Sequence, residues 1–168
     1  FVGEVEMRLS QWLARVLAGA VWIAASGSAV LVPANASCGP GEVAALQAAL
    51  DRLPLEPTFG VPWSDQPVDS NYDSCADLSS IVVTVEGATG SSPEQALMFH
   101  RGSYLGTATL YAYPFTSIDH SASTGDTVVL RYKDYKAAAC TACPAPITSV
   151  RYQWQGDRVV MVDPPPRW

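Results

Sequence analysis

The residues of this sequence with the clearest capacity for chemistry are two closely spaced cysteines, Cys140 and Cys143, in the stretch "ACTACPAP". A Cys-x-x-Cys pair can exchange thiols and disulfides, supply two zinc ligands, or form a structural disulfide. A redox pair needs a helix that begins at its first cysteine, and Pro144 and Pro146 oppose a helix here. A zinc ion needs two further ligands, and the chain has no second closely spaced pair. The pattern therefore predicts a structural disulfide, with thiol redox chemistry as the alternative.

The other two cysteines, Cys38 and Cys75, raise the question of a lipid anchor. Cys38 ends the stretch "LVPANASC", and a bacterial lipoprotein signal needs an aliphatic residue three positions before its cysteine, where this chain has Asn35. An exported chain with an even number of cysteines is typical of a disulfide-bonded protein. Four cysteines permit three pairings, and a local Cys-x-x-Cys bond leaves Cys38 to pair with Cys75. We predict two disulfides and no lipid anchor.

The histidines give only weak signals of catalysis. His120 follows Asp119 and lies near three serines, so a Ser/His/Asp set can be assembled on paper. The serines are Ser117, Ser121 and Ser123. Adjacent residues in one polar stretch normally point apart, so we interpret this segment as a solvated loop. His100 ends an apolar run beside Arg101, which is typical of a hairpin edge, and we predict no catalytic residue.

Four aspartates could resemble a calcium loop. They are Asp65, Asp69, Asp73 and Asp77. Their spacing does not match the D-x-[DN]-x-[DN]-G pattern of such loops, and turn-forming and solubilising roles explain them. We therefore predict neither a metal nor another cofactor.

The N-terminal segment predicts export. From Met7 the chain has two arginines, then a run free of acidic residues at 16–32, then the small residues Ala34 and Ala36, which is the layout of a secretory signal. We predict a signal peptide at 7–36 with cleavage after Ala36, and we treat residues 1–6 as upstream sequence. An uncleaved membrane anchor is the alternative, because 17 apolar residues are near the lower limit for a span.

Charge and length limit the class of protein. The 168 residues carry 10 Lys and Arg against 16 Asp and Glu, a net charge of -6, and no basic cluster could hold phosphates. Nucleic acid is therefore not an expected partner. Residues 37–168 have the size of one domain, and we predict a single extracytoplasmic domain.

One amphipathic helix is predicted in "GEVAALQAALDRL". Its apolar residues recur at spacings of three, four and three along one face: Val43, Leu46, Leu50 and Leu53. Pro54 marks the end of the helix. The proline-rich segment that follows predicts an irregular connection, which Trp63 anchors to the core.

Six later segments predict β-strands because they are rich in β-branched and aromatic residues and end at Gly, Pro, Ser or Asp. They read "SIVVTVEG", "EQALMFHRG", "SYLGTATLYAY", "DTVVLRYKDY", "ITSVRYQWQG" and "DRVVMVD". Gly102 and Gly156 favour tight hairpin turns. Val150, Tyr152 and Trp154 alternate with polar residues, as in a sheet with one wet face. The expected fold is α+β, with the N-terminal helix packed on one antiparallel sheet of five or six strands.

Aromatic residues supply the candidate binding surface. They are Trp63, Tyr72, Tyr104, Tyr111, Tyr113 and Phe115. Aromatic rings that bury one face and keep a polar tip wet are common at recognition surfaces, and core packing is the alternative. The hypothesis is that a sheet face or its loops contacts an envelope component or a partner protein.

Three stretches of the chain resemble the LppP/LprE family of mycobacterial envelope lipoproteins. They read "SNYDSCADLSSIVVTVEGATGSSPEQALMFHRGSYLGTAT", "DTVVLRYK" and "CPAPITSVRYQWQGDRVVMVDPPP". The resemblance extends from Cys38 to about Pro166. It implies a secreted or lipid-anchored protein with no assigned biochemical activity.

The chain departs from that family at one point. Its members typically carry an extra lipobox cysteine ahead of the domain, whereas Cys38 matches a cysteine of the domain itself. The expected protein is a secreted or envelope-associated, non-catalytic binding or structural module. An extracytoplasmic enzyme or a thiol-redox protein that uses Cys140 and Cys143 is the alternative.

Overall fold

The structure, a computed structural model, describes residues 38–167. They form one α-helix, one short 3-10 helix and eight strands. Helix α1 spans Glu42–Leu50, and a short 3-10 helix spans Tyr135–Ala137. The strands are β1 (Trp63–Ser70), β2 (Ser79–Val85), β3 (Glu94–His100), β4 (Ser103–Thr107), β5 (Thr116–Ile118), β6 (Thr127–Lys133), β7 (Ile147–Trp154) and β8 (Val159–Met161). They form two antiparallel sheets, β1-β2-β3-β4 and β5-β6-β7-β8. The α+β class is confirmed, and the prediction of one sheet of five or six strands is wrong.

The first sheet is the middle layer of the described fold. One face packs against α1 through a cluster of nine buried residues: Ala45, Leu46, Ala49, Trp63, Ile81, Val83, Val85, Leu97 and Phe99. The other face packs against the second sheet through Leu78, Val82, Ala96, Met98, Ala108, Ile118, Val128, Leu130, Tyr132, Val150 and Tyr152. Because both faces are covered, β2 and β3 are apolar in nearly continuous runs rather than in alternation.

Helix α1 packs through small residues. Ala45, Leu46 and Ala49 are buried, and the alanines let the helix backbone lie close to the sheet. The prediction that Val43 lies on the packed face is wrong, since its side chain is 84% exposed. Leu50 and Leu53 are partly buried against the same cluster.

Strand β1 lies in the segment predicted to be irregular, and this is a second correction. Trp63 begins β1 and is only 9% exposed, so its predicted role as a core anchor is confirmed. Pro67 lacks an N–H donor, and it is tolerated because β1 is an edge strand whose pairing with β2 shifts register on either side of Pro67.

The second sheet has one face in the core and one in water. Val150 and Tyr152 are buried while Arg151 is exposed, which confirms the predicted alternation. The phenol oxygens of Tyr132 and Tyr152 lie 3.1 Å apart inside the core, so each polar tip has a partner. Gly102 and Gly156 have φ angles of 79° and 77° at the two predicted hairpin turns.

Two carboxylates join the sheets at strand β5, which sequence patterns missed. Glu94 Oε2 accepts the N–H of Thr116 at 2.7 Å, and Asp69 Oδ2 accepts the N–H of Ile118 at 2.7 Å. Asp69 Oδ1 also lies 2.8 Å from Nε2 of His120. Because β5 is an edge strand, these acids satisfy N–H groups that point away from β6.

Glu94 makes this junction sensitive to pH. Burial raises the pKa of Glu94 from 4.5 to about 7; the Thr116 N–H opposes this rise and the Asp69 carboxylate adds to it. A raised carboxyl pKa means that the fold favours the protonated acid. The resulting stabilisation is full below pH 4.5, the unfolded value, and is lost as pH rises through 7.

We expect Glu94→Gln to be more stable than the wild type at pH 8 by about 1–2 kcal/mol, a figure reduced for solvent screening of this half-buried group. Glutamine keeps an oxygen that can accept the Thr116 N–H. Below pH 4.5 the difference between the two proteins should disappear. Urea unfolding at intervals from pH 4.5 to 8.5 measures the trend, and Glu86→Gln, at an exposed position, controls for loss of a negative charge. If the wild type becomes more stable relative to Glu94→Gln as pH rises, the raised pKa of Glu94 is contradicted.

Within residues 38–167, no helix is long and apolar enough to span a lipid bilayer. The predicted signal peptide and its cleavage residues, Ala34 and Ala36, lie outside the described residues.

Candidate functional site

A groove of about 480 Å³ opens between the segment that follows α1 and the segment that follows β4. We call it the helix-side groove. Its lining includes Arg52, Leu53, Leu55, Trp63, Tyr104, Leu110, Tyr111 and Ala112. The volume falls in the range of roughly 300–1,000 Å³ that is typical of small-molecule sites.

The wall after α1 is held by a buried carboxylate. Glu56 is only 3% exposed, and its Oε2 accepts the N–H groups of Thr58 and Phe59 at 2.9 and 2.8 Å. The Glu56 backbone pairs with Val61 and Gly60, which closes the turn. This wall is therefore ordered before any ligand arrives.

The opposite wall is held by polar side chains beneath it. Gln95 Nε2 donates to the carbonyl of Thr109 at 2.8 Å, and Thr109 Oγ1 donates to the carbonyl of Tyr111 at 2.8 Å. Both Gln95 and Thr109 are buried. Because these bonds fix the backbone, Leu110 and Tyr111 are presented to solvent rather than folded inward.

The base of the groove is aromatic. Trp63 Nε1 donates to the carbonyl of Pro54 at 2.9 Å, which fixes the indole. The guanidinium of Arg52 lies 5.3 Å from the centre of the Tyr104 ring, a cation–π contact. Burial raises the pKa of Tyr104 above its ordinary value, and the charge of Arg52 opposes that rise. Tyr104 is thus a neutral, half-buried side chain at the base of the groove at physiological pH.

The rim is apolar and exposed. Leu110 is 85% exposed, Tyr111 68% and Leu55 56%. Exposed apolar side chains grouped around a concavity are typical of an interaction surface. The arrangement can hold an apolar group and stack against a flat one.

The structure groups three of the six aromatic residues that the sequence put forward. Trp63, Tyr104 and Tyr111 line the helix-side groove. Tyr72 lies elsewhere, where its hydroxyl donates to the carbonyl of Pro40 at 2.6 Å. Tyr113 packs against the intersheet core, and its ring centre is 5.4 Å from that of Tyr132. Phe115 lies near Lys133, whose Nζ is 5.1 Å from its ring centre.

Sequence reasoning missed Leu110, Leu55 and Glu56 as parts of this groove. Leu110 carried a usable signal, because two consecutive apolar residues after a strand cannot both face one core. Nothing in the local sequence marks Glu56 as the residue that orders its wall. Its sequence neighbours are a leucine, two prolines and a threonine, and only the fold shows its burial.

All four cysteines form disulfides with the predicted pairing, Cys38 with Cys75 and Cys140 with Cys143. The second bond lies in the loop between the 3-10 helix and β7, and among the described residues no helix begins at Cys140. The helix N-terminus that lowers the thiol pKa in thioredoxin-type pairs is therefore not found at Cys140.

The histidines make structural contacts. His120 faces Asp69, and among the described residues no hydrogen bond joins it to a serine hydroxyl. Nδ1 of His100 is 2.6 Å from the carbonyl oxygen of Asp77, and the His100 ring stacks on Trp154 with 3.9 Å between centres. His100 thus lies at the end of β3, where it joins the two sheets.

All four aspartates considered for calcium contact other residues of the chain, and Asp65 Oδ1 accepts a hydrogen bond from Nε2 of Gln66 at 3.2 Å. Asp77 forms an ion pair with Arg101 at 2.9 Å, and Asp73 Oδ1 accepts the N–H of Cys75 at 2.8 Å. Asp69 holds β5, as described above. From residue 38 to 167, no three His, Cys, Asp or Glu side chains converge as metal ligands would.

Two curated mycobacterial relatives, from Mycobacterium bovis and Mycobacterium tuberculosis, are named as candidate lipoprotein LprE. Each is 40% identical over 83 residues, 49% of this chain and 41% of the relative. A Mycobacterium leprae protein of the same name is 30% identical over 113 residues, 67% of this chain and 52% of its own length. The chain therefore spans about half the length of the curated relatives it matches. No solved structure matches it.

A family model described as LppP/LprE lipoprotein matches residues 70–157, from the end of β1 to the turn before β8. The matched segment is shorter than the resemblance inferred from the sequence, and it leaves out α1 and the groove wall that follows it. It still covers more than half of the chain. The protein therefore belongs to the LppP/LprE lipoprotein family.

Proposed function

We propose that this protein is a non-catalytic binding module of the cell envelope that holds an envelope component or a partner protein in the helix-side groove. Membership of a lipoprotein family supports an extracytoplasmic, envelope-associated location. The two disulfides suit that oxidising compartment.

The observation that carries the proposal is the exposed rim formed by Leu55, Leu110 and Tyr111. The backbone that carries these side chains is already held by Glu56, Gln95 and Thr109, so binding requires little further ordering of the backbone. A surface that served only to support the fold would not need to hold leucine and tyrosine in water.

Site-specific photo-cross-linking in the native host tests this function. With p-benzoylphenylalanine in place of Tyr111, we expect a discrete cross-linked species upon irradiation. The same amino acid in place of Ile147 is the matched control, because Ile147 is 48% exposed on the outer face of β7. Cross-linking should be strong at position 111 and absent at position 147.

A second variant separates binding from folding. Leu110→Ser combined with the cross-linker at position 111 should reduce the cross-linked species at least fivefold while Tm stays within about 2 °C of the parent, because an exposed side chain contributes little to stability. Equal cross-linking at 111 and 147, or full cross-linking in the Leu110→Ser variant, would overturn the proposal.

A further inference from the structure

A second groove lies between the two sheets, and its lining shares Gly106 and Thr107 of β4 with the helix-side groove. We call this second groove the intersheet groove. It has a volume of about 460 Å³ and runs between the edge strands β4 and β8. Leu105 of β4 and Met161 of β8 form its sides, and Met98 and Tyr152 form its floor. Both floor residues belong to the buried intersheet cluster and are only 2% exposed, so the core closes the groove from below.

Charge in this groove is concentrated at one point. Asp157 and Arg158, in the β7–β8 turn, are the charged residues among its lining. Elsewhere the lining is dominated by aliphatic, thioether and aromatic side chains, including Val159 and Trp154. A long apolar path with charge confined to one turn matches an amphiphile with one apolar tail and one polar head.

The two edge strands are poor templates for an added peptide strand. Strand β8 has three residues, and β4 has a register shift opposite Met98 and Phe99, with Gly106 at φ 138°. A peptide that entered the groove would leave many of its own N–H and C=O groups without strand partners. An acyl chain has no such groups, and each buried CH₂ contributes about 0.8 kcal/mol.

The charge at the mouth favours an anionic head. Within residues 38–167, Arg101 and Arg151 form ion pairs with Asp77 and Asp163, whereas the guanidinium of Arg158 has no ion pair. Asp157 carries the opposite charge next to it, so the two residues should act on an anion in opposite directions. A carboxylate can accept two parallel hydrogen bonds from an arginine.

We propose that the intersheet groove binds one long-chain fatty acid, with its chain between β4 and β8 and its carboxylate at Arg158. The proposal does not depend on the helix-side groove, because the two sites differ in every residue that the tests below change.

Titration of the purified protein with cis-parinaric acid, a fluorescent fatty acid, tests the site. We expect saturable enhancement of fluorescence at one ligand per chain, reversed by palmitate. Leu105→Asp should weaken binding at least tenfold, and Leu55→Asp, a matched change in the helix-side groove, should leave Kd unchanged. Leu105 is 43% exposed and Leu55 is 56% exposed, so neither change places a charge in the core.

The head-group contact has its own pair of variants. Arg158→Gln should weaken binding of the acid about fivefold and Asp157→Asn should tighten it, while the methyl ester of the same acid should respond to neither. If the ester responds equally, the carboxylate is not at Arg158 and that part of the proposal fails.

Methionine NMR gives a readout that needs no variant. Residues 38–167 contain two methionines, Met98 and Met161, and both line the groove. With ¹³C-methyl methionine, palmitate should shift the signals of Met98 and Met161, and methyl acetate, the methyl ester of an unrelated short acid, should leave both in place. Absence of saturable binding, unmoved Met98 and Met161 signals, or loss of binding in Leu55→Asp equal to that in Leu105→Asp would each overturn the proposal.

Discussion

Replacement of both Cys38 and Cys75 by serine should lower the free energy of unfolding by about 4 kcal/mol on the chain-entropy model, because the bond closes a loop with a sequence separation of 37. The same double replacement at Cys140 and Cys143, where the separation is 3, should cost about 2 kcal/mol. Equilibrium unfolding in urea, without reductant, measures both variants against the wild type.

The comparison between the two variants is its own control, since each loses one disulfide and gains two serines. The larger loss is expected from the Cys38–Cys75 pair because it ties the segment before α1 to the loop that precedes β2. An equal loss in the two variants, or a larger one for the Cys140–Cys143 pair, would mean that loop-closure entropy is not the main source of stabilisation by these disulfides.

Alanine substitution of two neighbouring residues should be strongly destabilising at both positions. Phe99→Ala should lower the free energy of unfolding by about 3–5 kcal/mol and Met98→Ala by about 2–5 kcal/mol, because both remove fully buried side chains. Phe99 lies in the helix-side cluster, between the rings of Tyr72 and Tyr104, and Met98 lies in the intersheet cluster.

This pair tests the three-layer arrangement. Successive residues of a strand point to opposite faces, so in a sheet with one wet face only one of the two would matter. Phe59→Ala is the matched control, because Phe59 is 65% exposed and its loss should change stability by less than about 0.5 kcal/mol. A small effect at either 98 or 99 in urea unfolding would contradict the buried middle sheet.

Much of the fold could be predicted from local pattern. Strands β3, β4, β6, β7 and β8 fall within predicted segments, and β2 begins one residue before its segment. Gly102 and Gly156 mark the β3–β4 and β7–β8 turns as expected. The three-layer arrangement was not predicted, although the sequence of β2 contains a signal for it. The run "SIVVTV" is apolar at three consecutive positions, which indicates a strand covered on both faces, whereas the predicted fold had one sheet with a wet face.

Other features could not be predicted because they depend on distant residues. Strand β5 has only three residues and is held by Glu94 and Asp69 from the other sheet. Val43 fits the apolar period of α1, but burial there is set by Ala45 and Ala49, whose small side chains let the helix approach.

The candidate site was predicted only in part, because its geometry also depends on contacts that the local sequence does not show. Tyr111 and Tyr113 lie two residues apart in one aromatic stretch, and sequence treats them alike. The structure turns Tyr111 to solvent and Tyr113 toward Tyr132. The difference arises from the Thr109 hydroxyl, which holds the carbonyl of Tyr111.

The middle position of the first sheet has a consequence for how the chain reaches its native state. Helix α1 precedes this sheet in the chain and the second sheet follows it. The N-terminal part of the described chain therefore covers one face of the sheet, and the C-terminal part covers the other. A hairpin of β2 and β3 alone would expose two apolar faces to water. The polypeptide should therefore fold in an all-or-none manner, and a nascent chain that lacks β6 and β7 should remain a client for chaperones until they emerge.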